Sequence, residues 1–346
     1  MASKTTYIIC TRDVKNGKFQ PEPGKTLFLT VPEAITDYSP KNKKNASVWR
    51  SAVARAATRA EDLITQTTGD IVVFVHGYNN DRKTVLWRTR TLQRTLHEQG
   101  WKGLVIGFDW PSDNNTLNYL EDRSDASEVA LRLVRESLEL LIEAQDPQDR
   151  NREPCKLNIH LLGHSTGAYV IMDAFKQAEK VGEFFRRPWR IAQVAFIGGD
   201  VSSRSLEDGN SDNRPMFDRI MRFTNYSNRY DKVLGVSNAK RLGTSPRAGR
   251  VGLPDRIPTK AVNIDCSDYF LSKDPKNSEF TGTFNHSWHI GDPIFALDLA
   301  MTLEGSIDRV GIPTRIMTNK GLALTAAGLR PAFQDLWDLD APPAIA

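Results

Sequence analysis

The stretch that most constrains this chain is an apolar run ending in Gly163-His164-Ser165-Thr166-Gly167. Ahead of it, Ile159, Leu161 and Leu162 read as a short buried strand. Behind it, Val170, Ile171, Ala174, Phe175 and Ala178 recur at helical spacing. A serine between two glycines on a strand-to-helix turn is the layout of a nucleophile elbow, which exposes the hydroxyl at the top of a sheet. The glycines let strand and helix close tightly around a strained residue. An ordinary strand-turn-helix could carry the serine, but it would not need this pattern on both sides.

The flanking segments predict the rest of the fold. Ile71–Val75 is an unbroken apolar run rich in β-branched residues, as expected of a strand buried on both faces of a parallel sheet. It ends in His76-Gly77-Tyr78-Asn79-Asn80, and a helix follows, with Asn80 or Asp81 as N-cap and Gly100 as its stop. Further strands are expected at 104–108, 157–162, 194–197, 221–225 and 261–264, with helices at 124–143, from the elbow to about Lys180, and over 292–303. Strands alternating with helices imply a mostly parallel sheet covered by helices on both faces, the α/β-hydrolase layout. Before this core, 6–11 and 26–29 form a hairpin, 38–48 a polar loop and 51–66 a helix; 235–259, rich in Gly, Pro and basic residues, forms a long loop. Three parts are expected: 1–67 as strands and helix packed on the core, 68–305 as the catalytic core, and 306–346 as a C-terminal extension.

Composition narrows the partners. A net charge of +4, from 46 Lys and Arg against 42 Asp and Glu, is too mild for a nucleic-acid binder. The 3 cysteines, Cys10, Cys155 and Cys266, have no paired spacing and fit the reduced thiols of a cytoplasmic protein. The N-terminus lacks the apolar stretch of a signal peptide, and no run approaches the ~18 apolar residues of a membrane span.

A serine hydroxyl needs a general base, and the base needs an orienting carboxylate. In α/β-hydrolases the chain order is Ser, then Asp or Glu, then His. Of the 6 histidines, His76, His97, His160 and His164 precede Ser165, which leaves His286 and His289. His286 is favoured because it lies earlier in the loop after the last strand; His289 is nearer the final helix, in a packing or capping position. For the acid, Asp200 and Asp231 both follow strands, whereas Asp265 and Asp268 come too late. Asp231, two strands after the elbow, is in the usual place, and the other aspartate would cap a helix or tie down a loop. The oxyanion hole would use the backbone N–H of Thr166 and one from the loop after 71–75, from Tyr78 or Asn79.

The ordered set Val73-Phe74-Val75-His76-Gly77-Tyr78-Asn79-Asn80, Phe108-Asp109-Trp110-Pro111-Ser112, the His-Ser-x-Gly elbow, Asn228-Arg229-Tyr230-Asp231, Arg247-Ala248-Gly249 and His286-Ser287 resembles the bacterial α/β-hydrolases known as DUF900. The resemblance runs over about residues 68–300 and implies Ser165, Asp231 and His286 as the triad. Gly163 and Thr166 stand where that family often has Ala and Met, and neither removes the backbone donor at Thr166; Trp288 stands where Tyr is more usual, a change that bears on the pocket wall.

The resulting expectation is a serine hydrolase, needing neither metal nor cofactor, that cleaves an ester or thioester in a small-molecule acyl substrate. Lys240, Arg241, Arg247, Arg250 and Arg256, following the acid, could draw in an anionic substrate or simply be solvated. Two other classes fit the sequence less well. A binding scaffold without catalysis would not need Ser, Asp and His in this order. A membrane-acting lipase would need an apolar lid, and 203–219 is too polar to supply one.

Overall fold

A computed structural model describes residues 5–61, 67–112, 123–138, 156–180, 186, 189–240, 246–273 and 284–330. These residues form one twelve-stranded sheet. In chain order its strands are β1 (Thr5–Lys15), β2 (Lys18–Pro32), β3 (Lys43–Lys44), β4 (Thr58–Glu61), β5 (Thr67–Val75), β6 (Leu104–Asp109), β7 (Lys156–His164), β8 (Ile191–Ile197), β9 (Ile220–Ser227), β10 (Ala261–Asp265), β11 (Arg315–Thr318) and β12 (Gly321–Leu324). Their order in space is β11-β12-β10-β9-β8-β7-β5-β6-β1-β2-β3, with β4 pairing separately on β5. The eight strands from β12 to β1 run parallel, and antiparallel pairing is confined to β1–β2, β2–β3, β11–β12 and β4–β5.

The period of two along β5 explains why helices are needed on both sides. Ile71, Val73 and Val75 face one core with Trp49, Val53, Val129, Leu133, Ile171 and Phe175. Val72 and Phe74 face the other with Leu92, Leu96, Phe295 and Leu299. Accordingly α1 (Ala46–Ala57), α3 (Arg123–Arg132) and α4 (Thr166–Lys180) cover the first face, and α2 (Arg82–Glu98) and α6 (Pro293–Glu304) the second. Each large aliphatic side chain buried this way contributes roughly 1.5–3 kcal/mol.

Local chemistry moved several expected boundaries. The helix expected over 51–66 starts earlier, because the Asn45 side chain accepts the Ser47 N–H, and ends at Ala57, where the chain turns into β4; 62–66 lie outside the described residues. The loop expected at 38–48 contains a short 3-10 turn, the two residues of β3 and the start of α1. Asp81, whose side chain accepts the Thr84 N–H at 2.8 Å, is the N-cap of α2. The helix expected over 124–143 continues past α3 as a π-helical turn, Leu133–Leu138; beyond 138 the expectation lies outside the described residues. The loop expected at 235–259 contains α5 (Lys232–Lys240) and a short turn, Ala248–Val251. The C-terminal extension adds the β11–β12 hairpin to one edge of the sheet. Among the described residues no helix is long and apolar enough to cross a membrane.

Candidate active site

Tyr78, Ser165, Thr166 and Asp231 follow the ends of the parallel strands β5, β7 and β9, the rim at which open α/β sheets bind ligands, and His286 lies in a short helical turn, Phe284–Ser287. Ser165 follows β7 directly, at φ +55, a left-handed conformation costly for a residue with a Cβ. Main-chain bonds hold it there: its N–H donates to Ile197 O at 3.1 Å, and its carbonyl accepts from Asp200 N–H at 2.9 Å. Two close approaches explain the elbow's glycine and its neighbour. A Cβ on Gly167 would lie 2.1 Å from the Val75 carbonyl oxygen, and one on Gly77 would lie 2.7 Å from the Ser165 Cβ. The loop after β5 and the serine are thus in direct contact. Thr166 opens α4, whose first N–H groups have no acceptor within the helix.

His286 and Asp231 come together. His286 Nδ1 and Asp231 Oδ2 are 2.5 Å apart, and both side chains are buried. The other carboxylate oxygen, Oδ1, accepts the Leu234 N–H at 2.9 Å, so the same aspartate caps α5. His286 Nε2 is buried and has no hydrogen-bond partner among the described residues. Gly198, just past β8 at φ +53, closes on the pair: a Cβ there would lie 3.1 Å from His286 Cε1 and 3.5 Å from Asp231 Oδ2. Gly198 also follows Ile197, whose carbonyl holds the Ser165 N–H, so all three groups share one corner of the rim.

The alternatives fall elsewhere. Asp200 is ion-paired with Arg247, Oδ1 to Nε at 3.1 Å, and accepts from the Ser237 hydroxyl at 3.0 Å. It ties the loop over 246–248 to the elbow. His289 stacks on Trp288 with ring centroids 4.2 Å apart and meets Phe295 edge-on; burial, reinforced by His286, lowers its pKa to about 3. It is a packing residue. Asn79, the other residue of that loop offered as an oxyanion donor, already donates its N–H to Ser112 O at 3.1 Å. Of the basic residues expected to rim the pocket, Arg247 is engaged by Asp200, and Arg250 donates to the Asp231 carbonyl at 3.2 Å. Arg241 lies outside the described residues.

Sequence reasoning missed the braces around the pair. The Asn285 side chain accepts the Lys232 N–H at 3.1 Å, joining the turn that carries the histidine to the turn that carries the acid. His164 Nε2 lies 3.2 Å from the His286 carbonyl, and burial pushes the pKa of His164 well below the usual imidazole range, so the neutral ring donates there. Arg88 donates to Ser287 Oγ at 3.0 Å, and burial lowers its pKa to about 10. These partners are 53 to 199 residues apart, so no local pattern reveals them.

The family described as an α/β hydrolase of unknown function, DUF900, matches residues 51–253. Among solved structures, inhibited esterase B from Lactobacillus rhamnosis is 15% identical with a TM-score of 0.41, over 88% of this chain and 87% of its own. A hyperthermophilic esterase from the archaeon Pyrobaculum calidifontis is 12% identical with a TM-score of 0.35, over 75% and 93%. Phospholipase PlaB from Legionella pneumophila, in complex with thio-NAD, is 12% identical with a TM-score of 0.35, over 74% and 67%. No curated protein matches the chain.

Proposed function

The chain belongs to the DUF900 family of α/β hydrolases, and from that premise we propose that it is a serine hydrolase cleaving an ester or thioester of a small acyl substrate. One observation carries the reading: a buried histidine–carboxylate pair, 2.5 Å apart with the far imidazole nitrogen unpartnered among the described residues, packed against the corner that holds a serine at φ +55. In this reading Ser165 Oγ attacks the acyl carbon while His286 Nε2 takes its proton. The Asp231 carboxylate holds Nδ1–H and offsets the charge of the imidazolium. Negative charge developing on the carbonyl oxygen meets the N–H groups of Tyr78 and Thr166, the latter helped by the positive end of the α4 dipole. Collapse of the tetrahedral adduct expels the alcohol or thiol, which takes the proton from His286. Water then repeats the attack on the acyl-serine, with His286 as base again, and releases the carboxylic acid.

The experiment is steady-state hydrolysis of a panel of short- and medium-chain esters and thioesters by the parent and by Ser165→Ala, Asp231→Asn and Asp200→Asn. Loss of the nucleophile should remove activity. Asp231→Asn should lower kcat roughly 10⁴-fold by favouring the wrong tautomer. Asp200→Asn should instead keep measurable turnover and lose stability, since it weakens a buried ion pair. An active Asp231→Asn beside an inactive, folded Asp200→Asn would reverse the assignment of the acid.

A further inference from the structure

The five-residue loop after β5 is held by an unusual number of side chains. The Gly77 carbonyl accepts from Asn80 Nδ2 at 2.7 Å and from His76 Nδ1 at 2.7 Å. The same Asn80 amide donates to the Tyr78 carbonyl at 3.0 Å. Ser112 takes the next two N–H groups, Asn79 N–H on its carbonyl at 3.1 Å and Asn80 N–H on its hydroxyl at 3.2 Å. Asn79 completes the turn at φ +53.

These bonds have a directional consequence. In a trans peptide, the C=O of one residue and the N–H of the next point to opposite sides. Two donors that pull the Gly77 carbonyl toward Asn80 and His76 therefore turn the Tyr78 N–H the other way. The Gly77 α-carbon already lies against Ser165. His76 is itself fixed at several points: the Trp110 N–H donates to its Nε2 at 3.2 Å, the Trp110 indole N–H donates to its carbonyl at 2.9 Å, and the two rings stack 5.3 Å apart.

The anchor comes from the other end of the chain. Arg12 Nε lies 3.0 Å from both oxygens of Asp109, and its NH2 group donates to the carbonyls of Asn80 at 3.0 Å and Trp110 at 3.3 Å. Cys10 Sγ donates to Asp109 at 3.3 Å. Burial alone would raise the Asp109 carboxyl, but the Arg12 guanidinium beside it pulls it down to about 2, so it stays ionised. Cys10 and Arg12 belong to β1, outside the family match that spans 51–253.

We propose that Arg12 and Asn80 are positioning residues for the oxyanion-binding peptide, and that the N-terminal hairpin sets the direction of the Tyr78 N–H through Asp109 and Asn80. The inference rests on the serine-hydrolase reading and deepens it. An arginine suits the role because one planar fork can grip a carboxylate and two carbonyls together, which a lysine cannot.

The test compares the full-length parent with Asn80→Ala and Arg12→Lys. The readouts are kcat and KM on an ester the parent cleaves, the rate of labelling by a fluorophosphonate, and thermal melting. Arg12→Lys keeps a charge beside Asp109, so it preserves the fold while loosening the loop. Asn80→Ala should lower kcat and the labelling rate by about 10²-fold or more with KM little changed, as loss of an oxyanion donor does. Arg12→Lys should lower both less, in the same ratio. The acid limb of the pH–kcat/KM profile should not move, because the His286–Asp231 pair is untouched. Folded variants that both turn over and label within threefold of the parent would overturn the inference while leaving the serine reading intact. A parent that neither hydrolyses esters nor labels would overturn the serine reading, and this inference with it.

Discussion

At Ser165, a left-handed backbone is imposed on a residue with a side chain, at a cost of about 1–3 kcal/mol that the surrounding packing must offset. The offset depends on how closely α4 approaches β5. Gly167→Ala would place a methyl group 2.1 Å from a backbone oxygen that cannot rotate away, so helix or strand must shift. We expect it to lower stability by at least about 1–3 kcal/mol in urea unfolding and to reduce esterase activity as the elbow moves. The elbow was legible in the sequence because its whole logic is local: five residues, two glycines and an apolar approach. The acid was less so. Asp200 and Asp231 both follow strands, and chain order alone leaves both eligible; what separates them is that Arg247 claims one and His286 the other. Those pairings belong to the folded chain, not to any window of sequence.

At the scale of elements, strands were easier to read than the connections around the site. β5 and β7 announce themselves as apolar runs, while α5 lies in a stretch rich in glycine and basic residues and is started by the Asp231 carboxylate on the Leu234 N–H. The segment from β10 to α6 held two histidines that the sequence could rank only by position. Both are buried, and their partners separate them: His286 meets the Asp231 carboxylate and His289 the rings of Trp288 and Phe295, which makes acid stability a test of His289. His289 is held at about 3, against 6.5 for an exposed imidazole. Between those values the unfolded chain binds a proton that the folded chain does not. This contribution to stability is therefore whole above about pH 6.5 and is lost progressively as pH falls toward 3. His164, shifted in the same direction by burial, adds to the effect. His289→Phe, which keeps a ring against Trp288, should move the midpoint of acid unfolding to lower pH. An unchanged midpoint by circular dichroism would contradict a buried neutral His289.

Across the whole molecule, the parallel centre of the sheet followed from the alternation of strands and helices, but its edges did not. β11 and β12 are four residues each, too short to carry a periodic signal, and they are fastened by one buried group of polar side chains. Asp298 of α6 accepts from Arg315 at 2.7 Å and 2.9 Å, from Tyr226 at 2.6 Å and from Thr314 at 2.7 Å. Arg315→Ala strands that carboxylate in the interior, so we expect a loss of about 3–5 kcal/mol in denaturant unfolding. Replacing Asp298 and Arg315 together with apolar residues of similar size should recover most of it. Either variant, once folded, should retain ester hydrolysis, because this cluster does not touch Ser165, His286 or Asp231.

The claim on which the mechanism turns is that Ser165 is the nucleophile activated by His286, and covalent capture tests it most directly. The full-length protein is treated with a fluorophosphonate and the adduct is located by peptide mass spectrometry. The account predicts one phosphonylated residue, Ser165, no labelling of Ser165→Ala, and labelling of His286→Ala slowed by orders of magnitude. Equal labelling of the parent and Ser165→Ala, or an adduct on another residue, would contradict it.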